Sequence, residues 1–391
     1  MTSEKEILRG KTTDVYFERT RKILRAKRLR RKQALAEVTA SDFPDGWRWA
    51  VLCGVEEAAR LFEGHPVNVY SLPEGTLFHA CDSRGVRTPV MTVEGAYYEY
   101  CILETPLLGF LCQASGIATK AARIRKLAGG SLLVSFGIRR MHPAIAPMID
   151  RAAYIGGFDT VSCLAGAELI GEKPTGTMPH ALIILLGDVA SAMKAFDGVV
   201  EPEAPRIALV DTFLDEKVEA LKAAEALGKK LFGVRLDTPA SRRGDFTEIV
   251  REVRWELNLR GYSHVKIFVS GGIEEGKIPG LVEAGVEGFG VGTSLSNAPT
   301  IDFALDLVEV EGKPVAKRGK LAGRKNLWRC GKCMVDLVLP AREPRPPCPS
   351  CGGKMRSMLK PLILNGKLAG SLPKPSEIRR YLLSQLEKVE I

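Results

Sequence analysis

From Ser131 to Ser294 the chain repeats one pattern: a short apolar run, a polar or glycine-rich loop, then a stretch of helical periodicity. Strand candidates fall at Leu132–Phe136, Thr160–Cys163, Leu182–Leu186, Ile207–Val210, Phe232–Leu236, Val265–Val269 and Gly288–Val291. Helical spacing is clearest over Asp215–Leu227 and Phe246–Leu259. Strands alternating with helices predict parallel strands joined by right-handed crossovers, so the fold class is α/β, an irregular (β/α) barrel. The last two loops, Ser270-Gly271-Gly272 and Gly290-Val291-Gly292-Thr293-Ser294, are built of small residues whose backbone N–H groups can hold a phosphate. A phosphorylated small molecule is the expected ligand.

The flanks divide the chain in three. Residues 1–110 alternate strand candidates (Val67–Val69, Thr88–Val93, Tyr97–Leu103) with turns such as Pro73-Glu74-Gly75, which predicts an α+β layer. Residues 111–300 form the barrel, entered through a helical stretch at Pro106–Leu127. Residues 301–391 turn Lys/Arg-rich and then carry a cysteine module. The N-terminus is charged (Glu4, Lys5, Glu6) and no apolar run approaches ~20 uninterrupted residues, so neither a signal peptide nor a membrane span is expected and the cytoplasm is the default setting.

The cysteines fall into two groups. Cys53, Cys81, Cys101, Cys112 and Cys163 lie among apolar neighbours and read as reduced core residues. Cys330-Gly-Lys-Cys333 and Cys348-Pro-Ser-Cys351 are two C-x-x-C pairs, the pattern of two knuckles that together offer four thiolates to a tetrahedral Zn²⁺. Four protein ligands close such a site, which makes it structural. A redox dithiol or an iron centre is the alternative.

A net charge of +10 raises the possibility of a polyanionic partner. Basic residues crowd the segment from Arg19 to Lys32, interleaved with Ile23, Leu24, Ala26 and Leu29 in the spacing of an amphipathic helix. A solvated helix face explains such a run most simply, and no aromatic-rich nucleic-acid motif accompanies it. A basic surface equally suits a phosphorylated substrate.

Barrel enzymes keep their chemistry at the strand C-termini. Phe136-Gly137-Ile138-Arg139-Arg140 offers an aromatic ring, a turn and two guanidiniums suited to a flat ring bearing a carboxylate. Asp159-Thr160, Thr177-Met178-Pro179-His180, Asp211-Thr212 and Arg235-Leu236-Asp237-Thr238 add carboxylates, a histidine and another arginine. Each alone is an ordinary cap or surface residue. Their recurrence at successive strand ends points to a site.

These segments, with Thr13-Asp14-Val15-Tyr16-Phe17, Gly176-Thr177-Met178-Pro179-His180, Ser270-Gly271-Gly272 and Gly290-Val291-Gly292-Thr293, resemble the nicotinate phosphoribosyltransferase family in its short archaeal form with a C-terminal zinc knuckle. The resemblance runs in order through nearly the whole chain. It implies an N-terminal α/β sandwich and a homo-oligomer, at least a dimer, whose active sites borrow residues from a neighbouring subunit. It also implies the reaction, in which nicotinate and phosphoribosyl pyrophosphate give nicotinate mononucleotide and pyrophosphate. By the same resemblance Arg139 or Arg140 holds the nicotinate carboxylate, with Phe136 on one ring face, Tyr16 of a neighbouring subunit on the other, and Asp159 and Thr177 nearby. Asp211 and Asp237 hold ribose hydroxyls or Mg²⁺, and Arg235 faces phosphates. Ser270, Gly271, Gly272, Gly290, Gly292 and Thr293 cradle the 5′-phosphate. In relatives the histidine matching His180 is phosphorylated by ATP, which couples hydrolysis to synthesis.

Three readings compete. Quinolinate phosphoribosyltransferase shares the architecture, and Ser115-Gly116-Ile117-Ala118-Thr119 fits it too, but its Arg-Lys-Thr motif is missing here. Nicotinamide phosphoribosyltransferase shares the motifs, but adjacent arginines favour an anionic ring. A zinc-ribbon nucleic-acid-binding protein would use the basic segment and leave the barrel loops unexplained.

Overall fold

The structure, a computed structural model, describes residues 2–242 and 244–391. The chain separates into two compact units, one of residues 120–298 and one joining 1–119 to 299–391. The three-part division drawn from the sequence set the C-terminal segment apart. In the structure that segment supplies strands to the sheet of the N-terminal residues.

The unit of residues 120–298 is built on six parallel strands: β1 (Leu132–Ser135), β2 (Thr160–Val161), β3 (Ile207–Leu209), β4 (Gly233–Leu236), β5 (Lys266–Val269) and β6 (Gly288–Val291), in the sheet order β2-β1-β6-β5-β4-β3. Their apolar residues, such as Val234, Ile267 and Phe289, are fully buried, as expected of a parallel sheet covered on both faces. The helix Glu216–Leu227 starts at Asp215, whose side chain accepts from the Lys217 N–H at 3.0 Å. The helix Phe246–Leu259 buries Phe246, Val250, Val253 and Leu257 along one stripe and is capped by Asp245.

One expected strand is absent. Residues 182–186 belong to the helix His180–Leu186. So short an apolar run carries no period that separates strand from buried helix, and leucine favours helix. Burial shows the outcome: Ile183 is fully buried while Leu185 next but one is 83% exposed. Between β2 and β3 the chain therefore runs through the helices Leu164–Ile170, His180–Leu186 and Val189–Val199, so these two strands remain the edges of the sheet and the barrel is a half-barrel.

The other unit centres on a seven-stranded antiparallel sheet, in the order Lys313–Pro314, Phe303–Val310, Gln33–Ala40, Pro89–Ala96, Val67–Ser71, Lys360–Leu364 and Lys367–Leu368. Residues Val38, Val69, Val93, Leu107 and Leu111 lie in its core, and fully burying a side chain of this size stabilises by about 1.5–3 kcal/mol. The expected strand Tyr97–Leu103 is instead a helical turn, Tyr97–Tyr100, followed by the 3₁₀ turn Cys101–Leu103. Three-residue spacing brings Tyr97 and Tyr100 to one face, with ring centroids 5.2 Å apart. The basic helix is shorter than expected, Val15–Ala26, because Arg28 adopts the left-handed conformation at φ 58°. The stretch Tyr97–Ala128 is long and apolar enough by composition to cross a bilayer, but 61% of its most apolar window is buried in protein.

A second, three-stranded sheet (Asp336–Pro340, Lys325–Cys330, Met355–Ser357) carries the cysteine module. At its centre Arg329 and Asp336 form a bidentate pair, Nε to Oδ1 and Nη2 to Oδ2 at 2.7 Å each, with side-chain exposures of 1% and 2%.

Candidate active site

The strand C-termini of the half-barrel bring together His180, Asp211, Arg235 and Asp237. The His180 Nε2 lies 3.8 Å from Asp211 Oδ1 and 3.8 Å from Asp237 Oδ2, and its Nδ1 lies 3.0 Å from Thr212 Oγ1. The Asp237 backbone N–H donates to Asp211 Oδ2 at 3.1 Å, which ties the ends of β3 and β4. Burial pushes the Asp211 carboxyl up to about 6; the neighbouring His180 opposes that shift and Asp237 reinforces it. Its Oδ1 is buried without a hydrogen-bond partner. Such an orphaned oxygen suits a ligand hydroxyl or a hard cation.

Arg235 stands with its guanidinium 5.5 Å from the centroid of the Phe136 ring and donates to the Met178 carbonyl at 3.4 Å. Burial lowers its pKa, with Asp237 and Asp211 opposing, and its Nε is buried without a partner. Phe136 needs the glycine opposite: a Cβ on Gly290 would lie 2.3 Å from the Phe136 ring carbons. Phe136, Arg235, Gly290, Asp159, Thr160 and Thr177 share the lining of a cavity of about 270 Å³ inside the half-barrel. Arg235 is the only cationic side chain in that lining among the described residues.

The other sequence-predicted residues are placed differently. Arg139 and Arg140 are exposed on the 3₁₀ turn Ile138–Arg140 that follows β1. Asp159 precedes β2, at the opposite strand end, where it pairs with Arg125 and accepts the Leu133 N–H at 2.9 Å. Ser270, expected at a phosphate, donates to Asp237 Oδ1 at 2.6 Å and so orients that carboxylate. Gly271 beside it has φ 78°, a conformation that side chains disfavour. Gly292 and Thr293 begin the four-residue helical turn Thr293–Ser296. Tyr16 is 54% exposed and lies in the other compact unit.

Sequence reasoning gave no role to three residues that shape the site, although it quoted Thr212 beside Asp211. Thr212 touches His180, and Glu219 accepts backbone N–H groups of the loop after β3. Asp150 is fully buried, accepting from Ser135 Oγ at 2.7 Å and from the Cys163 N–H at 3.2 Å, and so ties β1 to the turn after β2. Burial holds its carboxyl up at about 6, against the hydrogen bonds from Ser135 and Cys163. A carboxyl raised in the fold adds stability below its ordinary pKa and loses it as pH rises through the folded value. Asp150→Asn cannot ionise. Relative to that variant, wild type is expected to lose about 2 kcal/mol between about pH 4 and about pH 7, read from unfolding midpoints at both pH values.

The four cysteines of the C-terminal module converge. Their sulfurs all lie within 4.8 Å of one another, with Cys330 and Cys348 buried and Cys333 and Cys351 exposed.

Sequence models of quinolinate phosphoribosyl transferase match the chain in two parts, the N-terminal domain over residues 14–115 and the C-terminal domain over residues 117–306. A nicotinate phosphoribosyltransferase of Mycobacterium tuberculosis is 35% identical over 274 residues, an alignment that covers 66% of this chain and 60% of the relative. The chain thus spans about 60% of the length of that curated relative. Over its full length the chain is similar to the crystal structure of nicotinate-nucleotide pyrophosphorylase from Pyrococcus furiosus, with 58% identity, a TM-score of 0.96 and coverage of 100% of this chain and 99% of that one. The structure of human nicotinic acid phosphoribosyltransferase shares the fold, with a TM-score of 0.77 at 21% identity, over 97% of this chain and 94% of that one.

Proposed function

The chain belongs to the nicotinate phosphoribosyltransferase family of type II phosphoribosyltransferases, and from that membership we propose that it makes nicotinate mononucleotide from nicotinate and phosphoribosyl pyrophosphate. The observation that carries this reading is the convergence of His180, Asp211 and Asp237 at the strand ends beside a cavity lined by Phe136 and Arg235. In the reaction the pyridine nitrogen bonds to the anomeric carbon as the bond to pyrophosphate oxygen breaks. The nitrogen already carries a lone pair, so positioning and charge control supply the catalysis.

Phe136 stacks on the pyridine ring, and Arg139 or Arg140 meets its carboxylate. Arg235 faces substrate negative charge from within the cavity, while Asp211 and Asp237 hold ribose hydroxyls. The loops Ser270–Gly272 and Gly290–Thr293 receive the 5′-phosphate. Asp211, with its orphaned oxygen, and Asp237 are also the residues that would hold Mg²⁺, which supplies charge neutralisation of the departing pyrophosphate.

The test is turnover of nicotinate, nicotinamide and quinolinate in turn with phosphoribosyl pyrophosphate. Nicotinate is expected to be preferred strongly, since the amide forfeits a charge-assisted pair. Equal turnover of nicotinate and nicotinamide, or a preference for quinolinate, overturns the assignment. Running the same assay with γ-labelled ATP examines coupling: stimulated synthesis with label on His180, absent in His180→Ala, is the expected result. A shared site in a homo-oligomer, with Tyr16 reaching a neighbouring subunit, belongs to the same reading.

The four-cysteine cluster fits structural Zn²⁺, because four thiolates at these separations close a tetrahedral site and leave no open position for substrate. One Zn²⁺ per chain is expected, with Zn–S near ~2.3 Å by X-ray absorption, and Cys330→Ser should lower the module's thermal stability more than turnover. Metal analysis without zinc refutes this.

A further inference from the structure

The loop after β3 is held by a carboxylate to which the proposed reaction gives no role. Glu219, 1% exposed in the helix Glu216–Leu227, accepts the Thr212 N–H on Oε2 at 2.9 Å and the Phe213 and Leu214 N–H groups on Oε1 at 3.0 and 3.2 Å. Three backbone donors on one carboxylate fix the path of the loop. Thr212, so held, sets its hydroxyl 3.0 Å from His180 Nδ1.

The other ring nitrogen, Nε2, faces two carboxylates at 3.8 Å. In a neutral imidazole one nitrogen carries the proton and the other a lone pair. A lone pair on Nε2 would point at Asp211 and Asp237, whereas an N–H there presents its positive end to them. The threonine hydroxyl can donate or accept, so it adapts to whichever form the carboxylates favour. We propose that Glu219 and Thr212 are positioning residues that set the tautomer of His180: Thr212 Oγ1 donates to Nδ1, and Nε2–H faces Asp211 and Asp237. This rests on His180 serving the phosphoribosyl-transfer site, where Nε2–H is presented to substrate oxygens and the lone pair, which any phosphoryl transfer to His180 would use, lies on Nδ1 beside Thr212.

The experiment is ¹⁵N NMR of the full-length protein labelled at its five histidines, with His180→Gln identifying the His180 signals. Wild type should show a pyridine-type Nδ1 and a pyrrole-type Nε2. Thr212→Val should mix the two tautomers, Thr212→Ser should restore the wild-type pattern, and Glu219→Gln should reproduce the Thr212→Val change in part. Thr212→Val is nearly isosteric and leaves the loop amides on Glu219, so the proposal stays exposed to refutation even if Glu219→Gln does not fold.

In turnover, Thr212→Val should lower kcat roughly five- to tenfold, the rate equivalent of one hydrogen bond, with KM near the wild-type value and recovery in Thr212→Ser. A pyrrole-type Nδ1 in wild type, or His180 signals unmoved by Thr212→Val, overturns the proposal. So does a kcat loss without a tautomer change, which would leave Thr212 a merely structural part. The expected tautomer pattern in a protein that does not turn over nicotinate supports the positioning role and counts against the proposed reaction.

Discussion

Asp336→Ala should destabilise the unit that carries the cysteine module by roughly 3–5 kcal/mol, because it leaves the Arg329 guanidinium buried without its counter-charge. The pair is sealed from solvent, with side-chain exposures of 1% and 2%, and Arg329 donates further only a long hydrogen bond, to Gln385 Oε1 at 3.4 Å, among the described residues. Attraction between such charges does little more than offset their desolvation, so removing both should be far milder than removing one. Thermal and denaturant unfolding of Asp336→Ala beside the double variant Arg329→Met/Asp336→Leu checks this. A double variant as unstable as the single one would show that side-chain packing, not charge compensation, sets the loss.

Arg235→Ala should lower kcat/KM for nicotinate mononucleotide synthesis by about 10²–10³-fold, the usual consequence of deleting one preorganised donor from a water-poor site. Desolvation already acts on this guanidinium, and its Nε has no hydrogen-bond partner among the described residues. Both features mark a group whose full pairing waits for a ligand. Arg235→Lys keeps the charge but loses the planar fork over Phe136, so it should recover only part of the activity. Steady-state kinetics of the two variants, with unfolding midpoints to confirm intact folding, would decide the matter; a change below about threefold would place Arg235 outside the chemistry.

Most strands of the half-barrel were legible because they are short, largely apolar runs beside Gly, Asp or Ser, and burial of those apolar residues erases any competing period. The helix His180–Leu186 was not, since its apolar run looks alike in either conformation and only its one-sided burial separates them. Asp211, Arg235 and Asp237 could be read from their positions at strand ends and His180 from the Gly176–His180 segment that leads into the helix His180–Leu186, and the structure brings the four together. Glu219 could not, because in sequence it is one of several acidic residues on a helix and its carboxylate becomes a clamp only when the preceding loop folds over it. Asp159, one residue before its strand, lines the cavity with Phe136 and also serves the opposite end of the sheet by accepting the Leu133 N–H.

The antiparallel sheet closes on itself across the sequence: the Gln33 N–H donates to Glu311, 278 residues later, and Gln33–Ala40 pairs with Phe303–Val310. During synthesis this strand leaves the ribosome long before its partner exists. Its neighbour Pro89–Ala96 can pair early, but its other edge must wait exposed while the whole half-barrel is made. Chain-closure entropy grows only slowly with loop length, so the delay is costly in time rather than in free energy. The half-barrel, contiguous over residues 120–298, is then the part able to fold while the chain is still growing, and the split sheet is the part that chaperones would have to guard.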